Sequence, residues 1–126
     1  MTRFRRLDIM KHLDTVMADV CEARFTSRPT ALQKQVNEFV VISLPVRMVD
    51  RGAYQETFCR VALFARDRAN GQENTKGLED LQEKVVGKFP IVSDFFSAID
   101  PVLIPSGADT IGFHSLMVQA KLIINQ

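Results

Sequence analysis

The residue types of a nucleophilic triad occur together near the C-terminus. Ser106, Asp109, His114 and Ser115 supply hydroxyl, carboxylate and imidazole groups. A triad depends on geometry across a whole fold, and these four residues lie in one predicted hairpin, where Ser, Gly and Asp commonly build turns. We therefore expect a structural hairpin and no enzyme. A hydrolase or nuclease that uses the hairpin at 105–115 stays as a competing hypothesis.

Cysteine and histidine side chains are too few and too scattered to predict a zinc site. His12, Cys21, Cys59 and His114 carry the right atoms, but their spacings lack the paired short intervals that zinc ligands show. The sequence predicts that His12 is solvated on a helix and that His114 is a hydrogen-bonded structural residue on a strand. Both cysteines have apolar neighbours, which predicts reduced, buried thiols.

Phosphate and catalytic-metal patterns are also weak. Gly107 and Gly112 have no lysine after the second glycine and no helical pattern following, as a phosphate-binding loop requires. Asp50, Glu56 and Asp67 flank predicted turns, which favours solvated carboxylates. We expect no metal and no cofactor.

Length and composition predict one folded domain that spans residues 1–126. The hydrophobic fraction of 46% and the charged fraction of 25% are typical of globular proteins. Lys and Arg total 16 against 15 for Asp and Glu, so the sequence predicts no specific nucleic-acid binding. The basic start is followed by charged residues, and an apolar run near the roughly 18 residues of a membrane span is missing. We expect a cytoplasmic protein with no membrane contact.

Hydrophobic periodicity predicts an α+β fold: an antiparallel sheet of about four strands with two helices packed on one face. Its central feature is a long antiparallel hairpin at 38–66. The predicted elements are a helix at Leu7–Cys21, strands at Phe39–Met48 and Tyr54–Asp67, a helix at Leu78–Phe89, and strands at Ile99–Ile104 and Gly112–Ile124. Residues 22–37 are assigned to a connection.

The alternation of the strands places two apolar faces on the sheet. Cys59, Val61 and Leu63 belong to the face that the helices cover. A face open only to water is normally polar, whereas large apolar side chains interleaved with arginine are typical of protein interfaces. The sequence therefore predicts an oligomer interface on the second face, with a core closed by loops such as 22–37 as the alternative. The predicted interface residues are Phe58, Arg60, Phe64, Arg66, Phe113 and Met117.

The order of elements resembles that of the phage tail-terminator (tail-completion or minor tail) proteins. The resemblance rests on Val61-Ala-Leu-Phe-Ala-Arg-Asp67, which leads into a polar loop and a helix, and on Ile104-Pro-Ser-Gly-Ala-Asp-Thr-Ile-Gly-Phe-His114, which leads into the last strand. It covers about residues 5–124, with extra length at 22–37.

The resemblance implies a subunit without catalysis or cofactor that forms a homo-oligomeric ring, possibly a hexamer, in the host cytoplasm and then in the virion. Such a ring caps the tail tube and joins it to the head-connector proteins. The polar loop at 68–77 and the 105–112 hairpin would contact these partners. The partner-contact residues predicted there are Arg68, Asn70, Gln72, Lys76 and Asp109. The alternative function is a non-catalytic binding module of a mobile element that recognises a protein or a small ligand.

Overall fold

A computed structural model describes residues 6–25, 37–44, 49–50, 54–94, 96–108 and 112–125. It confirms a mixed α+β fold with two helices and a curled sheet. The strands are β1 (Arg24–Phe25), β2 (Glu38–Ser43), β3 (Val49–Asp50), β4 (Tyr54–Arg66), β5 (Ile91–Val92), β6 (Phe96–Ala108) and β7 (Phe113–Asn125). The helices are α1 (Arg6–Val16), which continues into a 3-10 turn at Met17–Asp19, and α2 (Thr75–Val86).

Six strands form one path in the order β1-β2-β4-β7-β6-β5, and β3 pairs with β4 beside that path. The predicted hairpin is confirmed, because β2 and β4 pair antiparallel from Glu38 opposite Ala65 to Ser43 opposite Arg60. β1 is the exception to the antiparallel pattern and pairs parallel with β2. The predicted sheet of about four strands is thus correct for its long members and omits the two-residue strands β1, β3 and β5.

Both helices pack on the same sheet face, as the sequence predicts. Ile9 and Leu13 of α1 and Leu81 of α2 are fully buried. They belong to one core with the helix-side residues of four strands, which are Val40, Ile42, Cys59, Val61, Leu63, Ala65, Ala98, Val118, Ala120, Leu122 and Ile124. This core is the apolar area that drives the chain to fold. Neither described helix is long and apolar enough to cross a membrane.

Local signals set the helix boundaries. The side chain of Asn74 accepts a hydrogen bond from the backbone N–H of Gly77 at 3.1 Å, which caps the start of α2. At its C-terminal end the backbone N–H of Gly87 donates to the carbonyl oxygen of Glu83. The observed helix α2 therefore begins three residues before the predicted start at Leu78 and ends three residues before the predicted end at Phe89.

A bulge changes the alternation of β6. Ile99 lies opposite Lys121 and Val102 lies opposite Gln119, so β6 has one more residue than β7 between these pairs. Asp100 lies in this bulge with a φ of 56°, a conformation that aspartate tolerates better than most residues. As a result Ile99 and Val102 point to the same sheet face although their numbers differ in parity.

The thiol of Cys59 provides a test of this core. Cys59 is 1% exposed, and burial raises its pKa from 9.0 to about 11. Between these values the unfolded chain has lost the thiol proton that the folded chain keeps, so the free energy of unfolding falls as the pH rises. The expected loss over this interval is on the order of 1–3 kcal/mol.

Urea unfolding of the wild type and of Cys59→Ala, below pH 9 and near pH 11, measures this loss. Every other ionisable group is common to both proteins, so only the difference between the two pH dependences belongs to Cys59. If the free energy of unfolding had the same pH dependence in the wild type and in Cys59→Ala, that result would contradict a buried thiol.

Candidate interaction surface

The sheet face opposite the helices, which we call the open face, has a strip of apolar side chains, interrupted by polar ones, across the neighbouring strands β4, β7, β6 and β5. Cross-strand pairing brings them together: Ile99, Lys121 and Phe58 form one row, and Val102, Gln119 and Arg60 form the next. We call the strip the apolar band. Its members are Phe58, Val92, Ile99, Val102, Ile104, Met117 and Ile123.

Three members of the apolar band are strongly exposed. The exposed fractions are 45% for Phe58, 70% for Val92 and 56% for Val102. The other four are half-buried. Scattered exposed apolar residues are normal, but a contiguous group on one sheet face marks an interaction surface.

Polar side chains cross the band and are tied to each other. The Nε of Arg60 donates to Oε1 of Gln119 at 2.9 Å, and Nζ of Lys121 lies 2.7 Å from a carboxylate oxygen of Glu56. Both contacts join β4 to β7. Glu56 balances the charge of Lys121, whereas Gln119 is a neutral acceptor that leaves the charge of Arg60 in place. Both contacts restrict long side chains beside the apolar members, which lowers the entropy cost of covering this surface.

The end of the open face near β1 is not exposed, which corrects part of the predicted interface. Phe39, Phe64 and Phe113 are buried in a second cluster, with exposed fractions of 3%, 3% and 2%. Phe39 stacks on Phe64 with ring centroids 4.4 Å apart, and Phe113 meets Phe39 edge to face at 5.2 Å. We call Phe25, Phe39, Phe64 and Phe113 the aromatic cluster. Its buried members are covered within a single chain, so they are not available to a second copy.

Two features explain why the aromatic cluster is closed. β1 forms within the segment at 22–37 and places Phe25 beside Phe39, with ring centroids 5.7 Å apart. Arg66 lies over the ring of Phe113, with its Cζ 4.7 Å from the centroid, a cation–π contact that uses the arginine within the chain. Three of the six predicted interface residues, Phe58, Arg60 and Met117, therefore lie in or beside the apolar band. Phe64 and Phe113 belong to the aromatic cluster, and Arg66 covers Phe113.

Of the four candidate triad residues, the structure describes the side chains of His114 and Ser115, and these two lie on opposite faces of β7. His114 contacts Asp67 through its Nδ1, and Asp67 also binds the backbone carbonyl of Gly112 through its N–H at 2.8 Å. His114 is thus a hydrogen-bonded structural residue, as predicted, whereas Asp67 is half-buried and not the solvated carboxylate we expected. Ser115 lies on the other face of β7 from His114, because successive side chains of a strand point to opposite sides. Asp109 lies outside the described residues, as does the side chain of Ser106.

The candidate metal ligands are also apart. Glu56 and Asp67 lie at opposite ends of β4, roughly 35 Å apart along the strand. His12 packs edge-on against Phe96, with ring centroids 5.2 Å apart, and is half-buried. The prediction of a solvated His12 is therefore wrong. Within the described ranges, no three His, Cys, Asp or Glu side chains are close enough to hold a metal ion.

The predicted partner-contact loop is a defined turn on the surface. The N–H of Arg68 donates to the carbonyl of Gln72 at 2.8 Å, and the side-chain oxygen of Asn70 accepts from the N–H of Gln72 at 3.1 Å. These three residues and Lys76, in the first turn of α2, are exposed. Asp109 belongs to the part of the chain that the structure leaves undescribed.

A shallow groove of about 350 Å³ lies between the 3-10 turn after α1 and the end of α2. Its lining includes Asp19 and Lys88, which form an ion pair at 2.7 Å. The predicted alternative of a small-ligand module calls for a concave apolar pocket with convergent polar groups. This open, charged groove lacks that character.

Four members of the apolar band were not predicted from the sequence: Val92, Ile99, Val102 and Ile104. Ile99 and Val102 have opposite parity, and the bulge at Asp100 reverses the alternation between them. A signal was present nonetheless, since Asp100-Pro101 interrupts an apolar run in a way that is typical of bulged edge strands.

Truncation of single phenylalanines separates the aromatic cluster from the apolar band. We expect Phe64→Ala to lower the free energy of unfolding by about 3–5 kcal/mol, because it leaves a cavity under a stacked ring. Phe58→Ala is the matched control on the same strand and face, and an exposed ring should cost less than about 1 kcal/mol. Urea unfolding of both variants measures the difference. Equal losses would contradict the division of the open face.

The contact between Asp67 and His114 is tested by a double-mutant cycle. We expect a coupling energy of about 1–2 kcal/mol between Asp67→Ala and His114→Ala, because each variant removes the partner of a half-buried group. Asp80→Ala, on the exposed side of α2, is the control and should not couple to His114→Ala. Additive losses of stability would show that the two side chains do not interact.

The sequence of this chain was also compared with the sequences of known proteins. A search with protein-family models finds no match, and a search of curated protein sequences finds none.

Proposed function

We propose that this protein is a non-catalytic structural subunit that assembles with copies of itself through the apolar band. The proposal extends the resemblance to phage tail-terminator proteins: a homo-oligomeric ring, possibly a hexamer, that caps a tail tube and joins it to head-connector proteins in the virion. The observation that carries it is the exposure of Phe58, Val92 and Val102 on a sheet face that the two helices do not cover.

The composition of the apolar band supports a protein partner. Aromatic residues, methionine and arginine are enriched at protein interfaces, and Phe58, Met117 and Arg60 lie in adjacent rows of the open face. Burial of an exposed valine or phenylalanine contributes about 1–2 kcal/mol, so a few such residues supply a useful share of an association energy.

The charge balance also supports self-association. A formal net charge of +1 gives little repulsion between copies of the chain. Beside the band the open face has charges of both signs, Arg60 and Lys121 with Glu56, so two copies need not meet with like charges. In the assembled ring the exposed turn at Arg68, Asn70 and Gln72 would contact tube or connector proteins.

A charged substitution in the apolar band is the direct test. We expect Phe58→Asp to weaken self-association by tenfold or more, because the carboxylate would be buried in the interface without a partner. Leu7→Asp is the matched control: Leu7 is 56% exposed but lies on α1, away from the band. Native mass spectrometry and sedimentation velocity across a range of concentrations measure the oligomers.

Circular dichroism melting verifies that both variants stay folded. A wild type that is monomeric at every concentration would overturn the proposal. So would an equal loss of assembly in Phe58→Asp and Leu7→Asp, because that effect would not come from the apolar band.

A further inference from the structure

The outer edge of β6 is long, apolar and exposed. β5 covers β6 only at Ser97 and Ala98, so within the described residues the edge from Ile99 to Ala108 has no neighbouring strand on its outer side. Val102 is 56% exposed on the open face, and Leu103 is 40% exposed on the helix side. Such an edge is a template for pairing with another strand, and proteins usually protect it with charged side chains.

The sequence along this edge is nearly symmetric about Leu103. Pro101-Val102-Leu103-Ile104-Pro105 has a proline at each end, a β-branched residue at each inner position and leucine in the centre. An antiparallel pair of such segments places each residue opposite one of its own type: leucine faces leucine, valine faces isoleucine and proline faces proline. The edge is thus complementary to a copy of itself.

Charge and backbone chemistry favour this register over its neighbours. Asp100 is the only charged residue of β6, and a twofold axis at Leu103 keeps it outside the three paired residues. A shift of the axis to Val102 would place Asp100 opposite Ile104. Proline has no N–H to donate, so Pro101 and Pro105 end the ladder on both sides and limit it to the three residues between them.

We propose that the edge of β6 is a second interface, at which two copies of this chain pair antiparallel about a twofold axis at Leu103. The axis is perpendicular to the sheet, so the two sheets join into one and both apolar bands lie on the same side. The contact is isologous and forms pairs, whereas ring closure requires a different, heterologous contact. This inference rests on the edge of β6 and does not depend on the proposed function.

Disulfide trapping tests the register directly. Residues that face each other across an antiparallel pair have Cα atoms about 4.5–5.5 Å apart, within the range that a disulfide spans. Leu103→Cys should therefore form a covalent dimer on mild oxidation, about tenfold faster than a control cysteine outside the pairing segment. The control is Leu7→Cys, which is 56% exposed on α1 and lies outside both the β6 edge and the apolar band. The native Cys21 and Cys59 are buried and leave the background low.

A mixture of two variants confirms the register independently. Val102→Cys mixed with Ile104→Cys should give the heterodimer, whereas Val102→Cys alone should cross-link slowly, because each residue 102 faces residue 104 of the other copy. The mixture also tests the register if Leu103→Cys fails to fold. Non-reducing electrophoresis follows the products, and mass spectrometry of peptides identifies the linked cysteines.

The outcomes distinguish this inference from the proposed function. Dimers of Leu103→Cys that persist when Phe58→Asp is added support the β6 contact even if the apolar band plays no part in assembly. Cross-linking of Leu103→Cys no faster than that of Leu7→Cys, together with a mixture that yields no heterodimer, would overturn the β6 pairing. That second result would not affect the proposed assembly through the apolar band.

Discussion

The pairing of β4 with β7 is the constraint on which the rest of the structure depends. These two 13-residue strands stay in register from Tyr54 opposite Asn125 to Arg66 opposite Phe113, without a bulge. A shift by one residue would exchange every side chain between the two faces, so this register is strongly specified by the apolar core. It places Val61 and Val118 side by side under the helices, and Arg60 and Gln119 side by side on the opposite face.

The two faces of that sheet differ in how their apolar area is covered. On the helix side, α1 and α2 bury it almost completely. On the open face, coverage comes from neighbouring strands at one end only: β1 and β2 bring Phe25 and Phe39 over Phe64, which closes the aromatic cluster. The apolar band has no such cover among the described elements. The same fold therefore holds a stable aromatic cluster and an exposed apolar surface on one sheet face, and only the exposed surface can contribute to assembly.

Edge chemistry adds a second constraint. β6 has two prolines and two shifts of register against β7, between Ile99 and Val102 and between Pro105 and Gly107, and these features fit an edge position and not an interior one. They limit the length of any ladder that could form there, which favours a defined pair over open-ended strand addition. Such a limit protects the chain, because uncontrolled edge pairing leads to aggregation.

The sequence by itself determined the long elements and the helix-side core. Periodicity of 3.6 and alternation of 2 are local properties, and they located α1, α2, β2, β4 and β7 within a few residues, including the side on which Val61 and Leu63 lie. The candidate surface was predictable only in part. Phe58, Arg60 and Met117 were assigned from the alternation of β4 and β7, whose pairing has no bulge.

Only the tertiary structure decided which of the remaining phenylalanines are exposed. Phe64 has the same parity as Phe58 along β4, and its burial depends on Phe39 from a strand 25 residues earlier in the chain. The contribution of Val102 likewise depends on the bulge at Asp100, which pairing with β7 makes visible. Alternation specifies the face on which a side chain lies, but long-range contacts determine whether anything covers that face, and those contacts are not encoded in any local pattern.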